Sequence, residues 1–222
     1  MKNELIVSTN PKSNISENIR TIRTNLQFSS IGKEIKTILV TSSIPGEGKS
    51  FISANLAVAF AQTDKKVLIV DCDMRKGRIH NIFKMKVNKG LSNLLIDNIE
   101  KEFKHYVVKS DIDNLYILTR GTVPPNPSEL LNSPGTEKLI EILEGIFDYI
   151  IFDGVPINGL PDSLVMATLV DKVVIVSSMK YTPMDLLLNT KKSLEKVGAD
   201  IAGVVINKVP KVKSHYYSNY YE

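Results

Sequence analysis

The sequence lacks the residues and segments on which several classes of protein depend. Its single cysteine, Cys72, cannot form an internal disulfide and is typical of a reducing cytosol. Its three histidines do not have the spacing of metal ligands. No apolar run approaches the roughly 20 residues of a transmembrane helix, and no apolar signal segment stands at the N-terminus. These absences exclude a disulfide scaffold and a direct membrane span, and they predict a cytoplasmic protein.

The charge of the chain is equally modest. There are 28 Lys and Arg residues against 24 Asp and Glu, which gives a formal net charge of +4. The basic residues are mostly dispersed lysines, which are typical of a solvated surface and not of a nucleic-acid interface. With 222 residues, 43% of them hydrophobic, the sequence predicts one globular domain with a sizeable core. We expect no nucleic-acid partner, and any membrane association has to come through another protein.

The most informative stretch is TSSIPGEGKS, residues 41–50. It follows a strand-like apolar run and precedes a long, helix-like one, which is the context of a phosphate-binding P-loop. Its glycines allow backbone N–H groups to point at phosphate oxygens, Lys49 would reach the outer phosphates, and Ser50 would hold Mg²⁺. Ser43 stands where the P-loop consensus has its first glycine. The predicted nucleotide-binding residues here are Ser43, Pro45, Gly46, Glu47, Gly48, Lys49, Ser50 and Phe51.

Strand-like and helix-like segments alternate from Ile35 onward. This alternation predicts a doubly wound α/β fold with a mostly parallel sheet. The predicted domain covers residues 1–207, and residues 208–222 form a flexible tail. Predicted strands are 35–42, 66–71, 115–118, 148–153, 173–177 and 201–207. One predicted helix starts near Lys49. Another starts at Pro127, with Asn126 as its N-cap and Glu129 closing a capping box. Three more are predicted at 90–96, 135–147 and 184–197.

The N-terminal region is predicted to be a loose arm over residues 1–12, followed by an amphipathic helix over about 14–28. Asn14 with Glu17 has the form of a capping box. The charged flank of this helix has the spacing E-x-x-R-x-x-R, which fits a solvated surface and an interface equally well. The apolar stripe consists of Ile15, Ile19, Ile22 and Leu26, and the charged flank consists of Glu17, Arg20 and Arg23.

Three carboxylates are predicted to meet at the carboxyl ends of the strands, beside the P-loop. Asp71 and Asp73 follow the second strand, and Asp153 ends an apolar strand in the Walker B manner. One aspartate could hold the metal while another accepts a proton from an attacking hydroxyl. Cys72, between the first two, is expected to be a core residue. Asn207 ends the last strand, where it could bind an adenine edge or stabilise the next turn.

The sequence resembles bacterial protein-tyrosine kinases of the capsule or exopolysaccharide type, in particular the cytoplasmic kinase subunit of the Gram-positive arrangement. The resemblance covers nearly the whole chain. The motifs that carry it are Glu17-x-x-Arg20-x-x-Arg23, SSIPGEGKS, VLIVDCDMRKG, PPNPSELL (residues 124–131), the strand that ends at Asp153, Asp162 and the C-terminal tyrosines Tyr216, Tyr217, Tyr220 and Tyr221.

This resemblance implies a deviant-Walker, MinD-like P-loop fold that binds ATP and Mg²⁺. It implies an autokinase that phosphorylates its tyrosine tail and regulates polysaccharide synthesis and export. It also implies a homo-oligomer, a ring built through the N-terminal helix, and an activating membrane protein of the polysaccharide co-polymerase type at the inner face of the membrane. The implied catalytic residues are Lys49, Asp71 and Asp73, and the implied metal ligands are Ser50, Asp73 and Asp153.

The sequence departs from the family pattern at three places. Phe51 replaces a threonine, Gly77 replaces a proline, and Gly154-Val155 replaces Thr-Pro after the Walker B aspartate. Two other functions stay open from the sequence. One is a partition or cell-division ATPase, which would have a second P-loop lysine where Ile44 stands. The other is a nucleotide sensor without enzymatic activity.

Overall fold

The structure, a computed structural model, describes residues 4–29, 34–86, 89–97 and 99–210. Its centre is a seven-stranded sheet with the order β3-β4-β2-β5-β1-β6-β7. All neighbouring strands are parallel except β3, which pairs antiparallel with β4 at one edge. The strands are β1 (Thr37–Ser42), β2 (Val67–Asp71), β3 (Val108–Lys109), β4 (Leu115–Leu118), β5 (Tyr149–Pro156), β6 (Lys172–Ser178) and β7 (Ile201–Asn207).

Helices cover both faces of this sheet, as a doubly wound fold requires. The predicted α/β fold class is therefore confirmed. None of the helices within the described ranges has both the length and the hydrophobicity needed to cross a membrane. The helices are α1 (Ile6–Thr9), α2 (Asn14–Phe28), α3 (Lys49–Ala61), α4 (Ile79–Ile82), α5 (Leu91–Leu94), α6 (Ile99–Tyr106), α7 (Pro127–Leu131), α8 (Pro134–Glu144), α9 (Asp162–Ala167) and α10 (Met184–Lys196).

Side chains that alternate along the strands enter two separate hydrophobic cores. In β1, Ile38 and Val40 pack on the side of α3, whereas Leu39 faces the opposite core. The strands in the middle of the sheet are buried on both faces, which explains their continuous apolar sequences. Helix α3 is buried nearly all round because it lies between the sheet and α2. This buried helix starts at Lys49 and so fixes the position of the P-loop.

Two predictions for the N-terminal region were wrong. The loose arm contains α1, whose Val7 is fully buried and donates its backbone N–H to Asn55 Oδ1 at 3.0 Å. The cap of α2 is Ser13, not Asn14, because the Ser13 hydroxyl accepts the Ser16 N–H. The apolar stripe is only partly buried, since Ile15 at its start remains half exposed.

The charged flank of α2 divides into two parts. Arg20 donates to Glu17 and to the carbonyl of Pro11, within its own segment. Arg23 donates to the carbonyl of Ala59, in the last turn of α3, at 2.8 Å. Because an arginine at a helix C-terminus satisfies a free carbonyl, Arg23 supports the fold of its own chain.

Several element boundaries also differ from the prediction. The first strand begins at Thr37, and β5 continues past Asp153 to Pro156, because β1 offers pairing partners as far as Ser42. Asn126 is the N-cap of α7, as predicted. Its side chain, however, donates to the Glu129 carboxylate at 3.1 Å and does not accept a backbone N–H, so the predicted capping box does not form. Of the predicted tail, the structure describes residues 208–210. The four predicted phosphorylation sites lie outside the described residues.

Candidate nucleotide and phosphotransfer site

The loop between β1 and α3 has the backbone geometry of a P-loop. Gly46 and Gly48 have positive φ angles of 82° and 98°, which is the region that favours glycine. Gly48 is the N-cap of α3 and no side chain of the described residues caps this end, so the first N–H groups of the helix are available to an anion. The loop can therefore hold the phosphates of a nucleotide at the helix N-terminus.

Glu47 holds this loop in place from inside. Its side chain is 1% exposed, and its Oε2 accepts the N–H of Ile44 at 2.8 Å. Its Oε1 accepts the N–H of Ser178 at 2.9 Å and the hydroxyl of Thr182. The Glu47 side chain thus ties the P-loop to the end of β6. The predicted contact of Glu47 with nucleotide stays a prediction, since these bonds engage the side chain within the protein.

The end of β7 also holds the P-loop. Asn207 Nδ2 donates to the Glu47 carbonyl at 2.8 Å, and Asn207 Oδ1 accepts the N–H of Lys208. Lys208 Nζ donates to the Gly46 carbonyl at 2.6 Å and lies 5.0 Å from the ring centre of Tyr181. Of the two roles open for Asn207, the structure shows the turn-stabilising one. Binding of an adenine edge by Asn207 stays a prediction.

Ser43, at the position of the first consensus glycine, is fully buried. Its hydroxyl accepts a hydrogen bond from Thr190 of α10 at 2.9 Å. The side chain therefore points toward the neighbouring helix, and this packing explains how a serine is accommodated there. Phe51 packs with its side chain against the core on the α2 side.

A replacement of Glu47 should show how much the P-loop depends on this clamp. We expect Glu47→Gln to lower the free energy of unfolding by about 1.5–3 kcal/mol, because a neutral amide cannot accept all of these donors. ATP affinity should fall roughly tenfold, as the loop is no longer preorganised. Denaturant unfolding and titration with a fluorescent ATP analogue measure both effects. The control is Glu195→Gln on α10, an exposed partner of Lys191, and equal behaviour of the two variants would contradict the role of Glu47.

The acidic residues lie beside the P-loop because β2 and β5 are neighbours. Asp71 pairs in register with Asp153 across the two strands. Strand β2 ends at Asp71, so Asp73 lies in the loop that follows the strand. Cys72 is buried in the core, as predicted.

Asp71 is fully buried and engaged by the following loop. Its Oδ1 accepts the N–H of Asp73 at 3.2 Å, and its Oδ2 accepts the N–H of Ile79 at 3.1 Å. Burial raises the pKa of Asp71 well above its ordinary value, and the nearby charge of Asp153 raises it further. A carboxylate with a raised pKa is a stronger proton acceptor, which fits the base predicted at this position.

Asp153 has the properties expected of a ligand for Mg²⁺. Its Oδ1 accepts the Ser53 hydroxyl at 2.9 Å, whereas the buried Oδ2 has no hydrogen-bond partner among the described residues. Burial raises the pKa of Asp153 to about 6, although Lys49 and the hydroxyls of Ser50 and Ser53 oppose this shift. An orphaned carboxylate oxygen beside the Ser50 hydroxyl is a donor set that suits a hard cation.

Asp73 completes the acidic group on the side of the P-loop lysine. Its Oδ2 lies 3.8 Å from Lys49 Nζ, and its Oδ1 accepts the N–H of Lys76. Within the described residues, no cluster of three His, Cys, Asp or Glu side chains is arranged as a complete metal site. A Mg²⁺ ion would therefore need phosphate oxygens as well as Ser50, Asp153 and Asp73.

Sequence reasoning missed two arginines that hold the loop after β2. Arg75 donates to Asp162 Oδ2 at 2.7 Å, and Asp162 is 2% exposed. Arg120 donates to the carbonyls of Arg75 and Met74 at 2.8 and 3.3 Å. Asp162 was noticed as part of the family resemblance but without a role. No sequence motif pointed to Arg120, because its partners lie 45 and 46 positions away along the chain.

The Gly154 departure from the family pattern has a steric reason in this chain. A Cβ atom at Gly154 would lie 2.5 Å from Ser163 Oγ and 2.9 Å from Leu39 Cδ1. The Ser163 hydroxyl bonds both the N–H and the carbonyl of Val155, at 2.7 Å each. Ser163 therefore occupies the space that a threonine side chain at this position would need.

This sheet, loop and acidic cluster define a P-loop nucleotide-binding domain. The family model described as an AAA domain matches residues 35–202. A solved MinD protein from Pyrococcus horikoshii, in complex with Mg-ADP, has a TM-score of 0.66 and 21% identity and covers 80% of this chain and 72% of its own. At that identity the likeness establishes the shared fold alone.

More similar proteins define the family. The tyrosine-protein kinase YwqD of Bacillus subtilis is 37% identical over 221 residues, which is 100% of this chain and 92% of YwqD. The solved kinase domain of the Escherichia coli tyrosine kinase Etk has a TM-score of 0.85 and 30% identity, and the match covers 96% of this chain and 84% of that one. The solved chimerical protein CapA2B2 has a TM-score of 0.90 and 39% identity, with coverages of 95% and 92%. The chain belongs to the bacterial tyrosine-protein kinase family, and it is an enzyme of this class.

Proposed function

We propose that this kinase transfers the γ-phosphoryl group of ATP to the tyrosines of its own C-terminal tail, and that one subunit phosphorylates another. The observation that carries the proposal is the placement of Lys49 and Asp73 within 3.8 Å of each other, beside the buried pair Asp71 and Asp153. Phosphoryl transfer needs a cation that binds the phosphates. It also needs carboxylates that hold the metal ion and accept the proton.

In the proposed reaction, the tyrosine oxygen bonds to the γ-phosphorus as the bond from that phosphorus to the bridging oxygen breaks. ADP leaves with that oxygen, and the hydroxyl proton passes to Asp71. Lys49 and the N–H groups at the start of α3 hold the phosphates in line with the tyrosine. Bound Mg²⁺ supplies charge neutralisation on the phosphates, and Ser50, Asp73 and Asp153 are the residues that would hold it.

The proposed acceptors are Tyr216, Tyr217, Tyr220 and Tyr221. Lys208, at the start of the predicted tail, donates to the Gly46 carbonyl of the P-loop, and this contact supports the choice of acceptors. In an oligomer, a neighbouring site would meet the tail at high effective concentration. Several phosphates on one tail repel each other and the carboxylates of the site, so phosphorylation would release the tail and loosen the assembly.

The cellular role that we propose is control of capsular or exopolysaccharide synthesis and export. The kinase would work in the cytoplasm at the inner face of the membrane, recruited and activated by a membrane protein of the co-polymerase type. Incubation of the purified chain with ATP and Mg²⁺, with and without the cytoplasmic segment of such a protein, tests this proposal. Phosphotyrosine on the tail is the expected result, whereas ATP binding with no phosphotyrosine in either mixture would identify a nucleotide sensor.

We further propose that α2 forms the contact between subunits, and Arg20 offers the clean test. Arg20→Ala should reduce the oligomer to smaller species while the fold stays intact, because the hydrogen bonds of Arg20 to described residues go to Glu17 and Pro11, in its own segment. Arg23→Ala is unsuitable, since loss of its bond to Ala59 should itself lower stability by about 1 kcal/mol. Sedimentation velocity with ATP and Mg²⁺ measures the assembly, and Lys65→Ala, an exposed ion-pair residue, is the control. An oligomer of unchanged size in Arg20→Ala would assign this face to solvent.

A further inference from the structure

The loop after β2 lies directly on the Asp71 carboxylate. We call residues 74–78 the Asp71 cover. A Cβ atom at Gly77 would lie 2.3, 2.4 and 2.6 Å from the three atoms of the Asp71 carboxyl group. Only glycine allows such an approach without displacement. In this position the cover leaves Asp71 fully buried, so a tyrosine hydroxyl cannot reach it.

The cover is a compact turn that is tied to Asp73 at its start. The Asp73 carbonyl accepts the N–H of Gly77 at 2.7 Å, and Asp73 Oδ1 accepts the N–H of Lys76 at 2.8 Å. Asp73 itself stays with Lys49 and with Asp71, whose Oδ1 accepts the Asp73 N–H. Opening of the cover about Asp73 would break the bonds from the Lys76 and Gly77 N–H groups to Asp73 and the bond from the Ile79 N–H to Asp71 Oδ2.

Two side chains from other elements hold the cover down. Asp162, at the start of α9, pairs with Arg75, and Arg120, after β4, donates to two consecutive carbonyls of the cover. The ion pair is incompletely compensated, since Asp162 Oδ1 is buried without a partner among the described residues and the Arg75 side chain is 31% exposed. A pair of this kind stabilises the closed position and still lets Arg75 turn to water when the cover opens.

We propose that the Asp71 cover opens for phosphotransfer, and that Asp162 and Arg120 are the positioning residues that hold it closed. This inference rests on the proposed kinase function, because the cover matters to catalysis only if Asp71 accepts the proton of the tyrosine. A base must come within hydrogen-bond distance of that proton, and the closed cover prevents this approach. The position of the cover thus sets how often the site is competent.

Two variants should open the cover by independent means. Asp162→Asn keeps the shape of the side chain but removes the charge that holds Arg75. Gly77→Ala changes no charge and forces the turn away from the carboxylate.

A third variant tests the other residue that holds the cover. Arg120→Lys keeps a cation but loses the paired N–H donors of the guanidinium, so it should have a smaller effect in the same direction. The matched control is Asp200→Asn, which removes an ion pair with Lys172 elsewhere in the fold.

Hydrogen exchange of the amides of residues 73–79 is the first measurement, because it needs no activity. The amides of Lys76, Gly77 and Ile79 are hydrogen-bonded in the closed cover. Segment exchange should accelerate about tenfold in Asp162→Asn and in Gly77→Ala, since the loss of a charge-assisted bond or an imposed clash exceeds the 1.4 kcal/mol that a factor of ten requires. Exchange of the β5 amides should remain at the wild-type rate. Unchanged exchange at 73–79, or equal acceleration in β5 or in Asp200→Asn, would overturn the proposal that Asp162 holds the cover closed.

Phosphotransfer without the activating partner is the second measurement. It should rise several-fold in both opening variants, with KM for ATP within about twofold of the wild-type value, because the P-loop contacts are unchanged. Faster exchange together with equal or lower phosphotransfer would overturn opening as a step of the reaction. If the wild-type chain forms no phosphotyrosine under any condition, the proposed function fails, whereas the exchange data still decide whether Asp162 holds the cover.

Discussion

Replacement of Lys49 by methionine is expected to abolish tyrosine phosphorylation and to weaken ATP binding severely. Lys49 is the first residue of α3, and its side chain is only 14% exposed beside Asp73. Methionine keeps the length of the side chain but removes the fixed positive charge that opposes the charges of the phosphates. The same change leaves the acidic group without its cation, so phosphate oxygens would meet uncompensated carboxylates.

Phosphotyrosine formation and ATP titration on the same preparation measure this effect. The control is Lys65→Met, which removes an exposed lysine paired with Asp148 at the opposite end of β2. Such surface pairs contribute little, and the control should bind ATP and phosphorylate as the wild type does. Phosphorylation by Lys49→Met at more than a small fraction of the wild-type rate would contradict the assignment of the P-loop lysine.

Asp71→Asn is expected to retain ATP binding and to reduce phosphotransfer by roughly a hundredfold or more, which is the usual contribution of a positioned base. The asparagine has nearly the same shape, and the hydrogen bonds of Asp71 go to the loop after β2. It cannot accept both N–H groups that Asp71 accepts now, so the loop up to Ile79 should loosen locally. The loss of activity should nevertheless appear in kcat and not in KM for ATP.

The control for this variant is Asp113→Asn, which changes an exposed aspartate before β4, away from the carboxyl ends of the strands. Single-turnover kinetics with saturating ATP measure the transfer step, and thermal unfolding checks the fold. An Asp71→Asn chain with full activity would refute the role of Asp71 as proton acceptor. It would also remove the reason for the cover to open.

The sequence was sufficient for all strands of the sheet except β3. Strands β4 and β7 have the predicted bounds, and the P-loop lies between β1 and α3 as expected. These segments are apolar runs bounded by turn residues, so the local pattern identified even β7, none of whose residues is buried. The short elements α1, α4 and β3 were not predicted, because segments of two to four residues have no measurable period.

The site was predictable as a set of chemical groups, but the contacts that hold them were not. Lys49, Asp71, Asp73 and Asp153 were recognised from the P-loop and from the ends of two strands. The clamp by Glu47 joins residues 131 positions apart, and the pair of Arg75 with Asp162 joins residues 87 positions apart. Such contacts depend on strand order and on loop shape, which a single sequence does not specify.

The most direct test of the account is a mixing experiment between two variants. One chain carries Lys49→Met and an intact tail, so it is inactive but can accept phosphate. The other is active and has phenylalanine in place of Tyr216, Tyr217, Tyr220 and Tyr221. We expect phosphotyrosine on the tail of the Lys49→Met chain, and only in the presence of the active chain. A mixture in which that tail receives no phosphate, while the wild-type chain phosphorylates its own, would contradict transfer between subunits.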